Sequence, residues 1–178
     1  MVDYYCAPKP AYYMFKRCAA PVMSSVTEED GEYRVYVSHV GSGKASGSGR
    51  LYVCNIRTGE EPWATTASFK ELSAESRRLI SVDKDVLAPY ITNETVLLFD
   101  LEYDGKKTDR AYFLPYSWYQ MAWEDGEYEI VSEDDTSVTV SAPVTLPVLL
   151  LDVPYVLEEN SMFVKKGETV RLTKKRAL

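Results

Sequence analysis

Short stretches of alternating apolar and polar residues run along most of this chain and predict β-strands. The clearest stretch is residues 33–38, where Tyr33, Val35 and Val37 share one face because successive strand residues point to opposite sides. Asp104-Gly105 predicts a hairpin turn between two later strands. Runs of the same kind predict further strands at 50–56, 77–82, 95–103 and 110–114. The pattern favours an all-β fold.

A different spacing near the start of the chain predicts one helix. Tyr12, Phe15 and Ala19 recur three or four residues apart, with Lys16 and Arg17 on the other side. Prolines stand just before and just after this segment, where they can begin and end a helix. We therefore predict a short helix ahead of the strands.

An internal repeat bears on the number of domains. The pentapeptide Glu-Asp-Gly-Glu-Tyr at residues 29–33 recurs unchanged at 124–128, which is 95 residues later. Each copy places a turn dipeptide before an alternating strand, and the offset is close to the roughly 100 residues of an immunoglobulin-like sandwich. We predict two tandem sandwiches, the second with strands at 127–131, 138–142, 147–153, 161–164 and 169–172.

Charge and hydropathy exclude two classes of partner. The net charge of −7 repels nucleic acid and anionic lipid unless a local basic patch overrides it. The patch Lys174-Lys175-Arg176 is interpreted as a solvated chain end. The longest apolar run, residues 144–153, contains Pro147 and Asp152 and is too short to span a membrane, so it predicts a buried strand.

The sequence contains few residues suited to binding a metal or a cofactor or to acting as a catalytic nucleophile. His39 is the only histidine, and Cys6, Cys18 and Cys54 fit neither a zinc site nor a redox pair. The glycine-rich run at 41–49 lacks the spacing of a phosphate loop and predicts a flexible hairpin loop instead. We predict no cofactor and no metal.

The acidic residues are grouped in polar connectors, where solvation keeps them on the surface. Asp134 and Asp135 could ligate calcium, but the residues around them lack the spacing of a dedicated calcium loop. No catalytic residue is predicted.

Tyr116, Trp118, Tyr119 and Trp123 form an aromatic cluster near the joint between the two predicted sandwiches. Flat rings stack on the apolar faces of pyranose sugars, so Trp118, Tyr119 and Trp123 are candidate carbohydrate-binding residues. The alternative, which their position favours, is that these rings fill the interface between the sandwiches.

Several motifs also carry a family resemblance. Residues 8–13 read Pro-Lys-Pro-Ala-Tyr-Tyr and are followed by Ala20-Pro21-Val22. Residues 112–115 read Tyr-Phe-Leu-Pro, and residues 159–163 read Glu-Asn-Ser-Met-Phe ahead of a Lys-Gly-Glu-Thr-Val hairpin at 166–170. Together these motifs resemble the C-terminal region of family 2 glycoside hydrolases of the β-mannosidase type, most specifically over the first 22 residues.

The resemblance implies a domain plan and a function. Residues 1–19 would be the end of a catalytic barrel, 20–114 an immunoglobulin-like β-sandwich and 115–178 a second, smaller β-sandwich. The family's two catalytic glutamates lie on barrel strands, upstream of residue 1, so none is assigned to this chain. The chain is then expected to be a non-catalytic region of a glycosidase that hydrolyses O-glycosidic bonds, supporting the catalytic barrel of the same polypeptide.

The resemblance leaves an oligosaccharide ligand and a homodimer open, and it implies a periplasmic, secreted or lysosomal compartment. Two alternatives come from other functional classes. One is a carbohydrate-binding module that uses the aromatic cluster as a platform, and the other is a protein-interaction domain, which rests on fold class alone.

Overall fold

The computed structural model describes residues 8–177, apart from the side chains of residues 106–109 and 176–177. Helix α1 spans Pro10–Cys18, and a one-turn helix α2 spans Lys84–Leu87. Two 3-10 turns lie at Ala88–Tyr90 and Trp118–Gln120. The strands are β1 (Val22–Glu29), β2 (Glu32–His39), β3 (Ala45–Asn55), β4 (Trp63–Leu72), β5 (Ser76–Asp83), β6 (Thr95–Tyr103), β7 (Lys106–Phe113), β8 (Glu129–Glu133), β9 (Ser137–Ser141), β10 (Leu146–Leu149), β11 (Tyr155–Leu157), β12 (Met162–Val164) and β13 (Thr169–Ala177). The all-β prediction and the short N-terminal helix are confirmed.

The chain divides into two compact units. Ala20–Asn55 and Glu60–Ala122 form the larger unit, here called the large sandwich. Ile56–Gly59 belongs to the smaller unit, here called the small sandwich, together with the residues up to Ala19 and those from Trp123 onward. The contacts thus group residues 115–122 with the large sandwich and α1 with the small one, whereas the sequence suggested a boundary at 114 and a separate segment 1–19.

The large sandwich consists of two antiparallel sheets, β1-β2-β5 and β4-β3-β6-β7. Val35 and Val37 of the first sheet share one buried core with Leu51, Leu97 and Phe99 of the second, because alternate residues of each strand face inward. Seven strands is the number found in immunoglobulin constant-type domains, but β4 pairs here with β3 instead of β5. The immunoglobulin-like assignment stays a prediction.

The repeated pentapeptide has two different structures. Its first copy forms the tight β1–β2 turn, where Asp30 and Gly31 both have positive φ, at 51° and 80°. In the second copy, residues 122–128 form neither a turn nor a strand, and a Cβ on Gly126 would collide with Val144. The prediction of equivalent turns is therefore wrong. Glycine is required at position 31 because the turn needs a positive φ there, and at position 126 because a side chain would collide with Val144.

The glycine-rich run at 41–49 is a loop only in its first half. From Ala45 onward it forms β3, so the prediction of a flexible loop throughout is corrected. A Cβ on Gly47 would overlap the carbonyl oxygen of Glu102, and one on Gly49 would overlap the ring of Phe99. These two glycines let β6 lie close to β3 and let Phe99 fill the core.

The small sandwich packs the two-stranded sheet β10-β12 against the four-stranded sheet β11-β13-β9-β8. The apolar run at 144–153 forms a strand only over its middle, and there Leu149 is buried while Val148 is exposed. Thr145 fastens the segment Ile56–Gly59 to this unit: its hydroxyl donates to the Ile56 carbonyl at 2.7 Å and accepts from the Lys166 amide at 3.1 Å.

The basic residues near the end of the chain lie in strand β13, which corrects their interpretation as a solvated chain end. The ammonium group of Lys174 pairs with Glu133 at 2.7 Å, and that of Lys175 pairs with Glu158 at 3.0 Å. Carboxylates thus already neutralise these two charges.

Two further facts complete the description of the fold. Cys18 and Cys54 are free thiols, and Cys6 lies outside the described residues. Within residues 8–177, no helix has the length and apolar character needed to cross a membrane.

Replacing Gly47 by Ala is expected to destabilise the chain by about 1–3 kcal/mol, because the added methyl group meets backbone that cannot move without breaking the β3–β6 ladder. Thermal unfolding measures the effect. Ser48→Ala is the matched control, since Ser48 is exposed in the same strand and its replacement should change stability by less than about 0.5 kcal/mol. Equal melting temperatures for the two variants would contradict the proposed close approach.

Candidate functional site

The aromatic cluster lies in a stretch of unusual composition. Residues 111–123 contain no Asp, Glu, Lys or Arg, although 26% of the chain is charged. Four of these residues are Tyr or Trp with exposed side chains, at positions 112, 116, 118 and 119. The composition alone therefore marks this stretch as different from the other surface loops.

A capped 3-10 turn presents Trp118 and Tyr119. Ser117 precedes the turn, and its hydroxyl lies 2.7 Å from Oε1 of Gln120, which also accepts from the Ser117 amide at 3.2 Å. The Gln120 amide donates to the Ser117 carbonyl at 2.9 Å. This capping box stabilises the turn.

The base of the turn is attached to the loop before β6. Asn93 donates from Nδ2 to the Gln120 carbonyl at 3.3 Å, and its own carbonyl accepts from the Ala122 amide at 2.8 Å. Met121 between them is buried. The rings are therefore carried by a turn that is fixed at both ends within the large sandwich.

The three predicted carbohydrate-binding residues are not equivalent. Tyr119 is 97% exposed and Trp118 is 43% exposed. Trp123 is half-buried and belongs to the small sandwich, whereas Trp118 and Tyr119 belong to the large one. Their role in binding, and the alternative of interface packing, both stay predictions.

Helix α1 carries a second exposed surface, which sequence reasoning did not identify. Its inward face is the polar one. The hydroxyl of buried Tyr13 donates to the Leu157 carbonyl at 3.4 Å, and burial raises the pKa of this tyrosine. The Lys16 ammonium donates to the Glu158 carbonyl at 2.6 Å and pairs with Glu159 at 2.7 Å.

Arg17 completes this attachment. Its Nη1 donates to the Asn160 carbonyl at 3.1 Å, and its Nη2 donates to the Ser161 carbonyl. Tyr13, Lys16 and Arg17 are spaced i, i+3 and i+4, so they form one stripe of the helix. The whole stripe faces the small sandwich.

The opposite stripe of α1 is apolar and exposed. Ala11, Met14, Phe15 and Cys18 follow the spacing i, i+3, i+4 and i+7, so they lie on one face, here called the exposed helix stripe. Met14 is 53% exposed and Phe15 is 60% exposed. An amphipathic helix of a self-contained domain normally turns its apolar face inward. The orientation is reversed here, which makes this stripe a candidate contact surface.

The corner that receives Arg17 is held by a buried amide. Oδ1 of Asn160 accepts from the amides of Leu151 and Ser161, both at 3.0 Å. Its Nδ2 donates to the Leu151 carbonyl, also at 3.0 Å. Asn160 thus pairs with both polar backbone groups of Leu151, which would otherwise be buried and unsatisfied.

Asp134, considered above as a calcium ligand, has a structural role in the β8–β9 turn. Its Oδ1 accepts from the Thr136 amide and hydroxyl, both at 2.7 Å, and from the Ser137 amide at 2.8 Å. These hydrogen bonds hold the pKa of Asp134 well below its usual range. The bond from the Thr136 hydroxyl has the largest effect on this pKa, and the bonds from the two amides add to it. No group of three or more His, Cys, Asp or Glu side chains within residues 8–177 is placed to hold a metal ion.

The comparisons with known proteins concern the fold. No family model matches the chain, and no curated protein matches its sequence. Among solved structures, the chain is similar to β-D-mannosidase from Dictyoglomus thermophilum, with a TM-score of 0.76 and 14% identity. The similarity covers 99% of this chain and 22% of that protein, so the chain spans about a fifth of its length. At this identity the likeness shows the fold alone.

Red sea bream transglutaminase is a second structural match, with a TM-score of 0.38 and 10% identity over 94% of this chain and 28% of that one. That score is too low to support any conclusion. The first match therefore shows that the fold of this chain also occurs as a region of the Dictyoglomus β-D-mannosidase structure.

Arg17→Ala is expected to loosen α1 while leaving the sandwiches folded, because two hydrogen bonds from a charged donor are lost, at a cost of roughly 1–3 kcal/mol. Hydrogen exchange should show faster exchange of the helix amides only. Met14→Ala on the exposed helix stripe is the control and should leave exchange unchanged. Unchanged protection in Arg17→Ala would contradict the proposed attachment.

The depressed pKa of Asp134 predicts a pH-dependent contribution to stability. The folded state favours the carboxylate, so the contribution is present above the ordinary unfolded pKa of about 3.9 and is lost as pH falls through the lower folded pKa. Urea unfolding should show that the advantage of the wild type over Asp134→Asn shrinks on acidification below about pH 4. Thr136→Val, which removes one donor, should show part of the same loss. An advantage that is constant with pH would contradict the assignment.

Proposed function

We propose that this chain is a non-catalytic β-sandwich region of a β-mannosidase-like family 2 glycoside hydrolase, in which it supports the catalytic barrel. The parent reaction is hydrolysis of O-glycosidic bonds. The observation that carries the proposal is the exposed helix stripe, an apolar surface on a helix whose polar face is already attached to the small sandwich.

A helix of nine residues is too short to be stable in water without packing. Here Tyr13, Lys16 and Arg17 supply that packing, so the helix is fixed before any partner arrives. A fixed helix that presents Met14 and Phe15 to solvent is suited to covering apolar surface of a neighbouring domain. The catalytic barrel is that neighbour in the proposed arrangement.

The carboxylates of the chain support a non-catalytic role. A glycosidase needs one carboxylic acid whose pKa is raised, so that it can protonate the leaving group. Six described carboxylates have a shifted pKa, and in each of them side-chain hydrogen bonds lower it. These residues are Glu29, Glu32, Glu124, Glu133, Asp134 and Glu158. These six groups take part in ion pairs and in a turn.

The fold likeness to a β-D-mannosidase adds weight to this proposal. It extends over nearly the whole chain and matches a limited part of that enzyme, as expected for a supporting region. The motifs at residues 8–13 and 159–163 supply the family assignment, and these are the same segments that hold α1 against the small sandwich.

The isolated 178-residue chain is expected to show no turnover of nitrophenyl β-mannoside or nitrophenyl β-galactoside, because the proposal assigns the two catalytic carboxylates to the barrel and not to this region. Release of nitrophenol measures the activity. Turnover that a single Glu→Gln replacement abolishes would overturn the non-catalytic assignment.

Phe15→Glu in the native polypeptide is expected to lower glycosidase activity and the melting temperature of the barrel, because it places a charge in the proposed contact. The same change in the 178-residue chain alone should alter its stability by less than about 0.5 kcal/mol. Val86→Glu, an exposed apolar position on α2, is the matched control and should have no effect in either protein. Full activity in the native Phe15→Glu polypeptide would contradict the proposal.

A further inference from the structure

We propose that Tyr116, Trp118 and Tyr119, here called the aromatic platform, bind the pyranose faces of a neutral, linear oligosaccharide. Outside α1, the described aromatic side chains that are exposed all lie at positions 112–119. The binding is independent of the role proposed above for α1, because the platform belongs to the large sandwich and α1 to the small one.

The composition of the segment favours a neutral ligand. Stacking surfaces for nucleic acid combine aromatic rings with cationic side chains that track the phosphates. Residues 111–123 contain no Lys or Arg, and the chain carries a net charge of −7, so a polyanion would be repelled. The segment also contains no Asp or Glu that would attract a cation.

The chemistry of the exposed groups favours a sugar over a protein partner. Across residues 112–120, the exposed apolar side chains are aromatic, and the polar ones between and beside them are the hydroxyl of Ser117 and the amide of Gln120. A pyranose has an apolar C–H face that stacks on a ring and hydroxyl groups at its edge that bond to such polar groups. The exposed helix stripe differs, because it contains Met14 and small residues that adapt to an apolar protein surface.

The platform is held rigid before a ligand arrives. The capping box of Ser117 and Gln120 closes the turn, and Asn93 fixes its far end. Tyr and Trp have few rotatable bonds, so their ordering costs little entropy on binding. The ring of Tyr119 is almost fully exposed, so it contributes little to the fold and is available to a flat ligand.

The exposed rings and the absence of charge suggest the probes for the test. Linear β-1,4-linked hexopyranoses present successive flat faces, and mannohexaose and cellohexaose are the neutral probes with that shape. Oligogalacturonate has similar length but is anionic, so it tests the requirement for neutrality. Stacking on two or three exposed rings gives weak binding, with dissociation constants in the millimolar range or somewhat below.

The test is a titration of the 178-residue chain with each of the three oligosaccharides, followed by tryptophan fluorescence and calorimetry. We expect saturable binding of mannohexaose, cellohexaose or both, and none of oligogalacturonate. Trp118→Ala and Tyr119→Ala should each weaken binding about tenfold. Tyr119→Ala should do so without changing the melting temperature, because that side chain is 97% exposed, whereas Trp118 is 43% exposed and its replacement also removes packing. Calorimetry is needed for Trp118→Ala, which removes a fluorophore.

Phe15→Ala is the matched control, since it removes an exposed aromatic ring from α1 and should leave binding unchanged. Three results would overturn the proposal. These are the absence of saturable binding of either neutral sugar at millimolar concentration, binding that survives both platform variants, and binding of oligogalacturonate as tight as that of the neutral sugars. None of these results bears on whether α1 contacts a barrel.

Discussion

The orientation of helix α1 depends on the backbone carbonyls of residues 157–161, a corner that the buried side-chain amide of Asn160 holds in place. The three hydrogen bonds of this side chain pair it with both polar groups of Leu151 and with the amide of Ser161. This arrangement leaves the carbonyls of Asn160 and Ser161 available, and Arg17 binds both. A nine-residue helix has no independent stability, so the direction in which its apolar stripe points is set by this corner of the small sandwich.

Strand positions were predictable wherever the apolar pattern and turn chemistry agreed. The prediction for residues 95–103 matches β6 because its continuous apolar run, residues 96–99, has the length of a buried strand and is followed by a turn whose Asp104 and Gly105 both have positive φ. Strand β4 was missed because half of its residues are Ala, Thr or Ser, which give a weak apolar pattern. It is the edge strand of its sheet, where few positions need to be apolar. Strand β11 has only three residues, too few for any period to show.

For the candidate surfaces, the sequence predicted which residue types are present but not how the fold arranges them. The aromatic composition around Trp118 is evident in the sequence, but the separation of Trp123 into the other unit depends on contacts distant in sequence. Helical spacing located α1, yet it could not indicate which face packs inward, because that face is chosen by carbonyl groups about 140 residues away. The repeated pentapeptide makes the same point, since identical residues form a turn at Gly31 and none at Gly126.

The segment Ile56–Gly59 interrupts the large sandwich in sequence while belonging to the small one. Thr145 holds the Ile56 carbonyl, and the Ile56 side chain is itself buried. No single cut in the chain therefore yields two complete units. Recombination at one crossover point could therefore not exchange either unit without taking a piece of the other.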